Sequence, residues 1–434
     1  MAALSDHEGT LLGPNRTFKR LAGIVNSDRI RTLDAVRGMA VMGILLMNIV
    51  SFGLPSYAYI DPAYYGSQGP ADWAVWTVNY IVSDGKFRAL FTMLFGASMV
   101  LIAERASRDP DGPGAAATHY RRMLWLLVIG MIHAWGFWYG DILVQYAIGG
   151  MLGFLMWRWR PRALWLFFVA MIALQSASSI DRYVSLAPVR TAALAPAAPA
   201  DAVIRWRDLK AAEVPPKSEA AEEIEGYRGG IVSVFATRAK STIFFLTVLT
   251  PATMPEIFAF VALGILFFRN GFLTGQWQHR SYVMTMCVGY LVAVPATALL
   301  ANAVRGADFD PTIQALCDSA GLLLRPFIAT AHAAAVILVV KAGRAPAITG
   351  RVQAIGQTAL SNYLGTTLVA TTFFYGYGFG WFGYLSRAEL YLVVIAIWGL
   401  MLLWSKPWLE HFRYGPAEWL WRSLARWKRQ PLLR

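Results

Sequence analysis

His133 and Asp141 are the pair of side chains in this sequence best suited to carry out chemistry. They stand eight residues apart on either side of Phe137-Trp138-Tyr139-Gly140, within otherwise apolar sequence. If the flanking segments form a helical hairpin, Asp141 lies near its mouth above His133, and an imidazole held by a carboxylate is a general base. Asp141 is equally placed to cap the helix that follows it, and capping is the simpler expectation. Asn48 offers an amide donor of the kind that stabilises an oxyanion, and Arg88 a cationic one.

Further polar residues interrupt apolar sequence. Lys86 and Arg88 follow Asp84-Gly85, and Glu256 follows Pro255. Arg325 and His332 are seven apart and so share one helix face, and Asn362 and Tyr363 are adjacent. At a rise of about 1.5 Å per residue, Asn48 lies about 22 Å into its span and His133 about 18 Å into another. Ionisable groups at such depth need partners or a water-filled cavity, so one shared polar cavity is expected, with Lys86, Arg88, Asp141, Glu256, Arg325, His332, Asn362 and Tyr363 as substrate-binding candidates beside His133 and Asn48. The competing reading is hydrogen bonds and ion pairs between helices; it stands level for Asn48, Asn362 and Tyr363, and it has Lys86 and Arg88 balancing Asp84 or Glu256. Asp34 and Arg37 lie one turn apart at the start of the first span. They are expected to pair with each other or with neighbouring helices, the second reading being a gate or a point of donor admission.

The elements that must position these groups are membrane helices. The 434 residues are 56% hydrophobic and 15% charged, against about a quarter charged in ordinary soluble domains. Apolar runs suited to a hydrocarbon core of ~30 Å fall at 33–54, 72–103, 121–138, 142–157, 162–179, 241–268, 281–301, 317–340, 355–375 and 388–405. The expected fold is all-α: a polytopic bundle of about ten spans, some of them broken, at Asp84-Gly85 and at Pro251 and Pro255. Continuous rather than alternating apolar runs argue against a β-barrel.

The net charge of +13 is accounted for by Lys and Arg in alternate loops, so nucleic acid is not an expected partner. Arg29, Arg31, Arg105, Arg108, Arg121, Arg122, Arg158, Arg160, Arg162, Arg269, Arg280, Lys341, Arg344 and Arg351 fall on one side, and 55–71 and 139–141 carry none. This places both termini in the cytoplasm and the chain in a bacterial cytoplasmic membrane. The expected organisation is a cytoplasmic tail (1–32, with no cleavable signal), an N-terminal transmembrane half (33–179), a long external segment (180–240), a C-terminal transmembrane half (241–405) and a basic aromatic tail (406–434). The external segment reads as a mobile loop with a short surface helix, the alternative being a lid over an outward cavity. Cys287 and Cys317 lie in apolar runs and read as small hydrophobes; no metal-ligand spacing and no nucleotide motif is found.

Several stretches resemble the YeiB-type bacterial membrane proteins: Arg29 to Asn48 with Leu33-Asp34-x-x-Arg37-Gly38, then Lys86 to Gly96, His133 with Gly140-Asp141 and Tyr146, Gly356 to Asn362, and Pro407 to Arg422. The Leu-Asp-x-x-Arg-Gly opening with Asn48 is also similar, more distantly, to membrane acyltransferases of the heparan-alpha-glucosaminide N-acetyltransferase kind. That resemblance implies transfer of an acyl group from cytoplasmic acyl-CoA to an acceptor across the membrane, with Asn48 in the active site. Those enzymes carry a histidine in the loop after the first span; residues 54–71 contain none, so His133 would serve from another helix.

The leading expectation is a membrane-embedded acyltransferase in which His133 deprotonates an acceptor hydroxyl or amine. Acyl-CoA is its co-substrate, and no bound cofactor or metal is expected. Membrane lipids, a small-molecule or lipid-linked acceptor, and a second copy in a homodimer are the expected partners. The rivals are a transporter or flippase for a small anion or lipid-linked molecule, and a non-catalytic module acting through the Trp408, Trp419, Trp421 and Trp427 tail.

Overall fold

A computed structural model describes residues 30–110 and 112–434. The tail before residue 30, and with it the expectation of a cytoplasmic leader without a cleavable signal, lies outside the described residues. Among them the secondary structure is helical, with one isolated bridge between Phe412 and Leu433. Long apolar runs have no water with which to satisfy backbone N–H and C=O groups, and the helix satisfies them internally.

The chain opens with α1 (Arg31–Gly53), which touches five later helices, then α2 (Pro70–Val78) and α3 (Lys86–Ser107). Between the latter two, a π-turn and Asp84-Gly85 break the span as expected. Gly85 is required there twice over. Its φ is +72°, and an added Cβ would press on the Arg325 guanidinium carbon at 2.5 Å. α4 (Gly114–Gly136) and α5 (Leu143–Gly153) form the hairpin that carries His133 and Asp141.

The region 180–240 differs from the expected loop. It consists of the end of α6 (Pro161–Ala193), then α7 (Ala200–Glu213), α8 (Lys217–Arg228) and the start of α9 (Ile231–Phe244). α8 is a docked cap. Tyr227 is 1% exposed and stacks on Tyr375 at 4.6 Å. Its carbonyl accepts the Gly376 N–H at 2.7 Å, and Glu223 accepts the Ser56 N–H. Alternation of Ala, Pro and Glu hides this docking in the sequence, because the contacts that hold the segment lie far away along the chain, 167 residues for Glu223–Ser56 and 154 for Arg228–Phe382.

α9 runs through a π-turn into α10 (Thr250–Arg269), so the expected break at Pro251 is absent. Pro251 comes just after that π-turn, which accommodates its missing N–H, and Pro255 lies inside α10, so no break occurs there either. α11 (His279–Cys287), a π-turn and α12 (Val294–Gly306) form the next long stretch, followed by α13 (Pro311–Lys341). The expected span at 355–375 is divided at Thr358 into α14 (Pro346–Gln357) and α15 (Ala359–Phe374). α16 (Leu390–His411) and the amphipathic α17 (Pro416–Arg426) complete the chain. Among the described residues seven helical stretches are long and apolar enough to cross a membrane, and they make this an integral membrane protein. α4 with its Arg121-Arg122 pair and the short α5, α14 and α15 are not among the seven.

α1 and α14 meet through glycine. A Cβ on Gly356 would strike the Asp34 carbonyl, and one on Gly38 the Val352 carbonyl. Small residues let membrane helices approach closely where hydrocarbon offers no hydrophobic drive. This contact sets one wall of the cavity described next.

Candidate functional site

A cavity of about 930 Å³ enters the bundle from the end that carries Asp34 and Arg37. Seven arginines (Arg37, Arg105, Arg122, Arg413, Arg422, Arg426 and Arg434) line it, against the carboxylates Asp34 and Glu418. Farther in, its lining turns apolar (Leu94, Phe95, Met99, Met123, Leu126), and it also reaches Ile142, Leu143, Tyr146 and Tyr363. Such a space takes an anionic head at the rim and an apolar arm inside.

The rim is built by helix ends. Arg37 donates to Asp34 at 3.2 Å and to Ser98 Oγ at 2.9 Å. The Asp34–Arg37 pair expected from spacing is therefore present, and it lines the mouth. α17 closes one side: Trp421 donates its indole N–H to the Arg122 carbonyl at 2.8 Å, and the Arg122 guanidinium lies 4.0 Å over the Trp421 ring. Glu418 holds α17 in place by accepting the N–H groups of Leu360 (2.6 Å) and Ser361 (3.2 Å) and the Ser361 hydroxyl (2.5 Å). A carboxylate is favoured at a helix N-terminus, yet burial pushes the Glu418 carboxyl above its ordinary value despite those bonds.

His133 is 2% exposed and Asp141 0% exposed. His133 Nδ1 lies 2.6 Å from Asp141 Oδ2, and Nε2 lies 2.9 Å from the Thr367 hydroxyl. An ionised carboxylate can only accept, so Nδ1 carries a proton toward Asp141; Nε2 and the Thr367 hydroxyl share a hydrogen bond, and that hydroxyl also lies 3.4 Å from the Tyr363 carbonyl. Asp141 does not merely cap: Oδ1 accepts the Val144 N–H at 2.8 Å while Oδ2 holds the imidazole. The end of α4 is fixed from outside by Arg238 on α9, which donates to the Trp135 and Phe137 carbonyls at 2.7 and 2.8 Å.

Beyond the cavity lies a second void of about 10 Å³, lined by Val41, Ile44, Leu45, Asn48, Phe52, Tyr363, Thr366 and Thr367. Asp34, Arg37, Val41, Ile44 and Asn48 recur three to four residues apart along one face of α1. On the facing helix Leu360, Tyr363 and Thr367 recur in the same way. The two faces flank one track, and Tyr363 stands across it, lining both spaces. The Asn48 side chain makes no hydrogen bond with any described residue, so its amide is available in the void.

The remaining expected site residues do not join this group. Glu256 accepts Arg325 at 2.5 Å and Arg88 at 3.2 Å, an ion cluster tying α3, α10 and α13. Lys86 donates to the Tyr80 carbonyl at 2.5 Å. His332 bonds the Tyr290 hydroxyl at 2.8 Å and the Val82 carbonyl at 2.9 Å. Asn362 is held by Thr358, Ser405 and Trp404 within α15 and across to α16. The single shared cavity expected from depth is thus replaced by separate sets of partners, because residues at similar depth on different helices need not face one another. Sequence reasoning missed Thr367, Arg122, Arg422, Glu418 and Arg238. For the arginines the signal was present but absorbed by the loop-charge rule.

Comparison with known proteins places these features in a lineage. Residues 267–428 match a family described as a protein of unknown function, DUF418. The chain is 30% identical over 410 residues to the uncharacterised protein YeiB of Escherichia coli (strain K12), covering 92% of this chain and 96% of that protein. It is 26% identical over 426 residues to the uncharacterised protein YxaH of Bacillus subtilis (strain 168), covering 94% and 97%. The stretches around Asp34, Lys86, His133 and Glu418 that shape the cavity and its two polar clusters are therefore those of a chain that belongs to the YeiB family of bacterial membrane proteins.

Proposed function

We propose that this protein is a membrane-embedded acyltransferase that draws acyl-CoA into the arginine-lined cavity and passes the acyl group to a hydroxyl or amine at His133. One observation carries the reading. The cavity that holds seven arginines also reaches Ile142 and Tyr363, which border the His133–Asp141 pair. The positive-inside rule puts the arginine end in the cytoplasm of a bacterial cytoplasmic membrane, on the side where acyl-CoA is made.

The chemistry follows from the geometry. With His133 neutral and its proton on Nδ1, the Thr367 hydroxyl, 2.9 Å from Nε2, marks where an acceptor O–H or N–H would donate. His133 takes that proton as the acceptor attacks the thioester carbonyl, and Asp141 stabilises the imidazolium. The oxygen of the tetrahedral intermediate gains charge that the free Asn48 amide can bind. The C–S bond then breaks, and CoA leaves as its thiol with the proton from His133. The acceptor is a small or lipid-linked molecule, and surrounding lipids are the protein's constant partners.

Purified protein incubated with radiolabelled acetyl-CoA and membrane lipid extract tests the proposal. Label moving to an acceptor, and lost in His133→Ala, supports it; no transfer and no CoA binding would sink it. Buried charge between helices, as in Arg88–Glu256–Arg325, also suits a transporter. Uptake into proteoliposomes without any acyl donor would favour that reading instead.

A further inference from the structure

We propose that α17 is a latch that a multiply phosphorylated anion closes over the cavity, so that binding of the anion and docking of the helix are one equilibrium. The identity of that anion as acyl-CoA rests on the reading above. Of the seven rim arginines, Arg422 and Arg426 are on α17, Arg413 and Arg434 at its base, and Arg37, Arg105 and Arg122 on the bundle. The cavity therefore lies between two cationic walls that belong to different parts of the chain.

α17 is held lightly. Its base is secured to the end of α16: Phe412 stacks on Trp408 at 4.1 Å, Trp408 donates to the Tyr414 carbonyl at 2.9 Å, and the Arg413 N–H donates to the Leu432 carbonyl at 2.9 Å. From that base the helix hydrogen-bonds the bundle at two places, Glu418 with Leu360 and Ser361, and Trp421 with Arg122. Ala425 is its one buried residue. So little buried area favours local opening. The second contact also gathers like charge. Arg122 is repelled by both Arg422 and Arg426, and Arg422 by Arg426 and Arg105. With seven guanidinium groups against two carboxylates at the rim, docking concentrates positive charge.

An anion with phosphates toward both walls reverses that sign. Guanidinium and phosphate form strong, often bidentate contacts, and each one made to α17 draws the helix onto the bundle. A lone phosphate satisfies one wall; bridging takes at least two. An anion that binds only the docked form raises the ratio of docked to open helix about a hundredfold at 100 times its Kd.

Ala425→Cys, in a full chain carrying Cys287→Ser and Cys317→Ser, puts a thiol under the docked helix, at a position 5% exposed. Its rate of labelling by a maleimide, in nanodiscs of neutral phosphatidylcholine, reads the opening. Hydrogen exchange at the Leu360 and Ser361 amides, which Glu418 covers, reads it in the unaltered chain. Saturating acetyl-CoA, whose sulfur is acylated and spares the maleimide, is expected to slow both at least about tenfold. Inorganic phosphate should leave them unchanged, and Arg426→Gln should lose most of the slowing. Equal protection by inorganic phosphate overturns the bridge. Unchanged labelling and exchange with acetyl-CoA that calorimetry shows to be bound overturns the latch and leaves the donor standing. Protection by inorganic pyrophosphate, or by nanodiscs containing the two-phosphate lipid cardiolipin, while acetyl-CoA fails to bind, keeps the latch and overturns acyl-CoA as its anion. Binding and protection by none of the three overturns both.

Discussion

Two buried polar clusters lie in the middle of this bundle, and they are built on opposite principles. Arg88, Glu256 and Arg325 pair by charge across three helices, with both carboxylate oxygens of Glu256 engaged and the buried Arg325 Nε left without a hydrogen-bond partner. His133, Asp141 and Thr367 join an imidazole, a carboxylate and a hydroxyl in one chain of hydrogen bonds, beside a void that the Asn48 side chain lines. The first cluster resists change because any loss strands a charge. The second is the one on which the proposed proton transfer rests, so its loss is expected to affect activity before stability.

The contrast can be broken from either side. Glu256→Ala should have the largest effect on folding, about 3–5 kcal/mol, because it leaves two guanidinium groups without their carboxylate. Loss of the monodisperse peak in detergent chromatography would show it, and recovery of full stability in that variant would erase the distinction drawn here. His133→Ala should do the reverse: transfer falling by about 10²- to 10⁴-fold, with the melting temperature moving far less than for Glu256→Ala. A collapse of stability in His133→Ala would put both clusters in the same structural class. Smaller again, Arg422→Ala or Arg426→Ala at the rim should weaken CoA binding about tenfold, ~1.4 kcal/mol, with steeper salt dependence in the wild type than in either variant.

The smallest effect concerns the cap. Burial raises the Glu223 carboxyl above its ordinary value of 4.5 although Ser56 donates to it, and nearby Glu219 raises it further. The folded state therefore holds this proton more tightly than the unfolded one. Glu223 favours docking fully below the unfolded value, and that contribution is lost as pH rises through the folded one. Tryptic cleavage around α8 should accelerate modestly as pH is raised across that window, and Glu223→Gln should flatten the dependence. A cleavage rate that rises equally in the variant would assign the effect to another group.

Local features were legible in the sequence and distant ones were not. The hairpin with His133 and Asp141 could be read because both residues lie within ten positions and the turn between them is explicit. The break at Asp84-Gly85 could be read because a charge and a glycine interrupt an apolar run. Thr367 was invisible: it is one of several helical threonines, and its partner is 234 residues away. The arginine rim was hidden for a different reason. The same loop charges that orient a membrane chain also line the cavity, and one-dimensional reading cannot separate the two uses. Asn48 on α1 and Arg88 on α3, grouped by depth, meet different partners because depth says nothing of which neighbour a helix face meets.

The contact of α14 with the start of α1 has a consequence for how the protein is made. Gly356 sits against the Asp34 carbonyl, and Arg37 reaches the Gly356 carbonyl across 319 residues of chain. At ribosomal rates of about 5–20 residues per second, the first helix waits on the order of 20–60 s for that partner. Through that interval the Asp34–Arg37 end of α1 must be tolerated by lipid or held by the insertion machinery. The wall of the cavity is therefore among the last parts of the molecule to exist, and a truncated chain has no site to misuse.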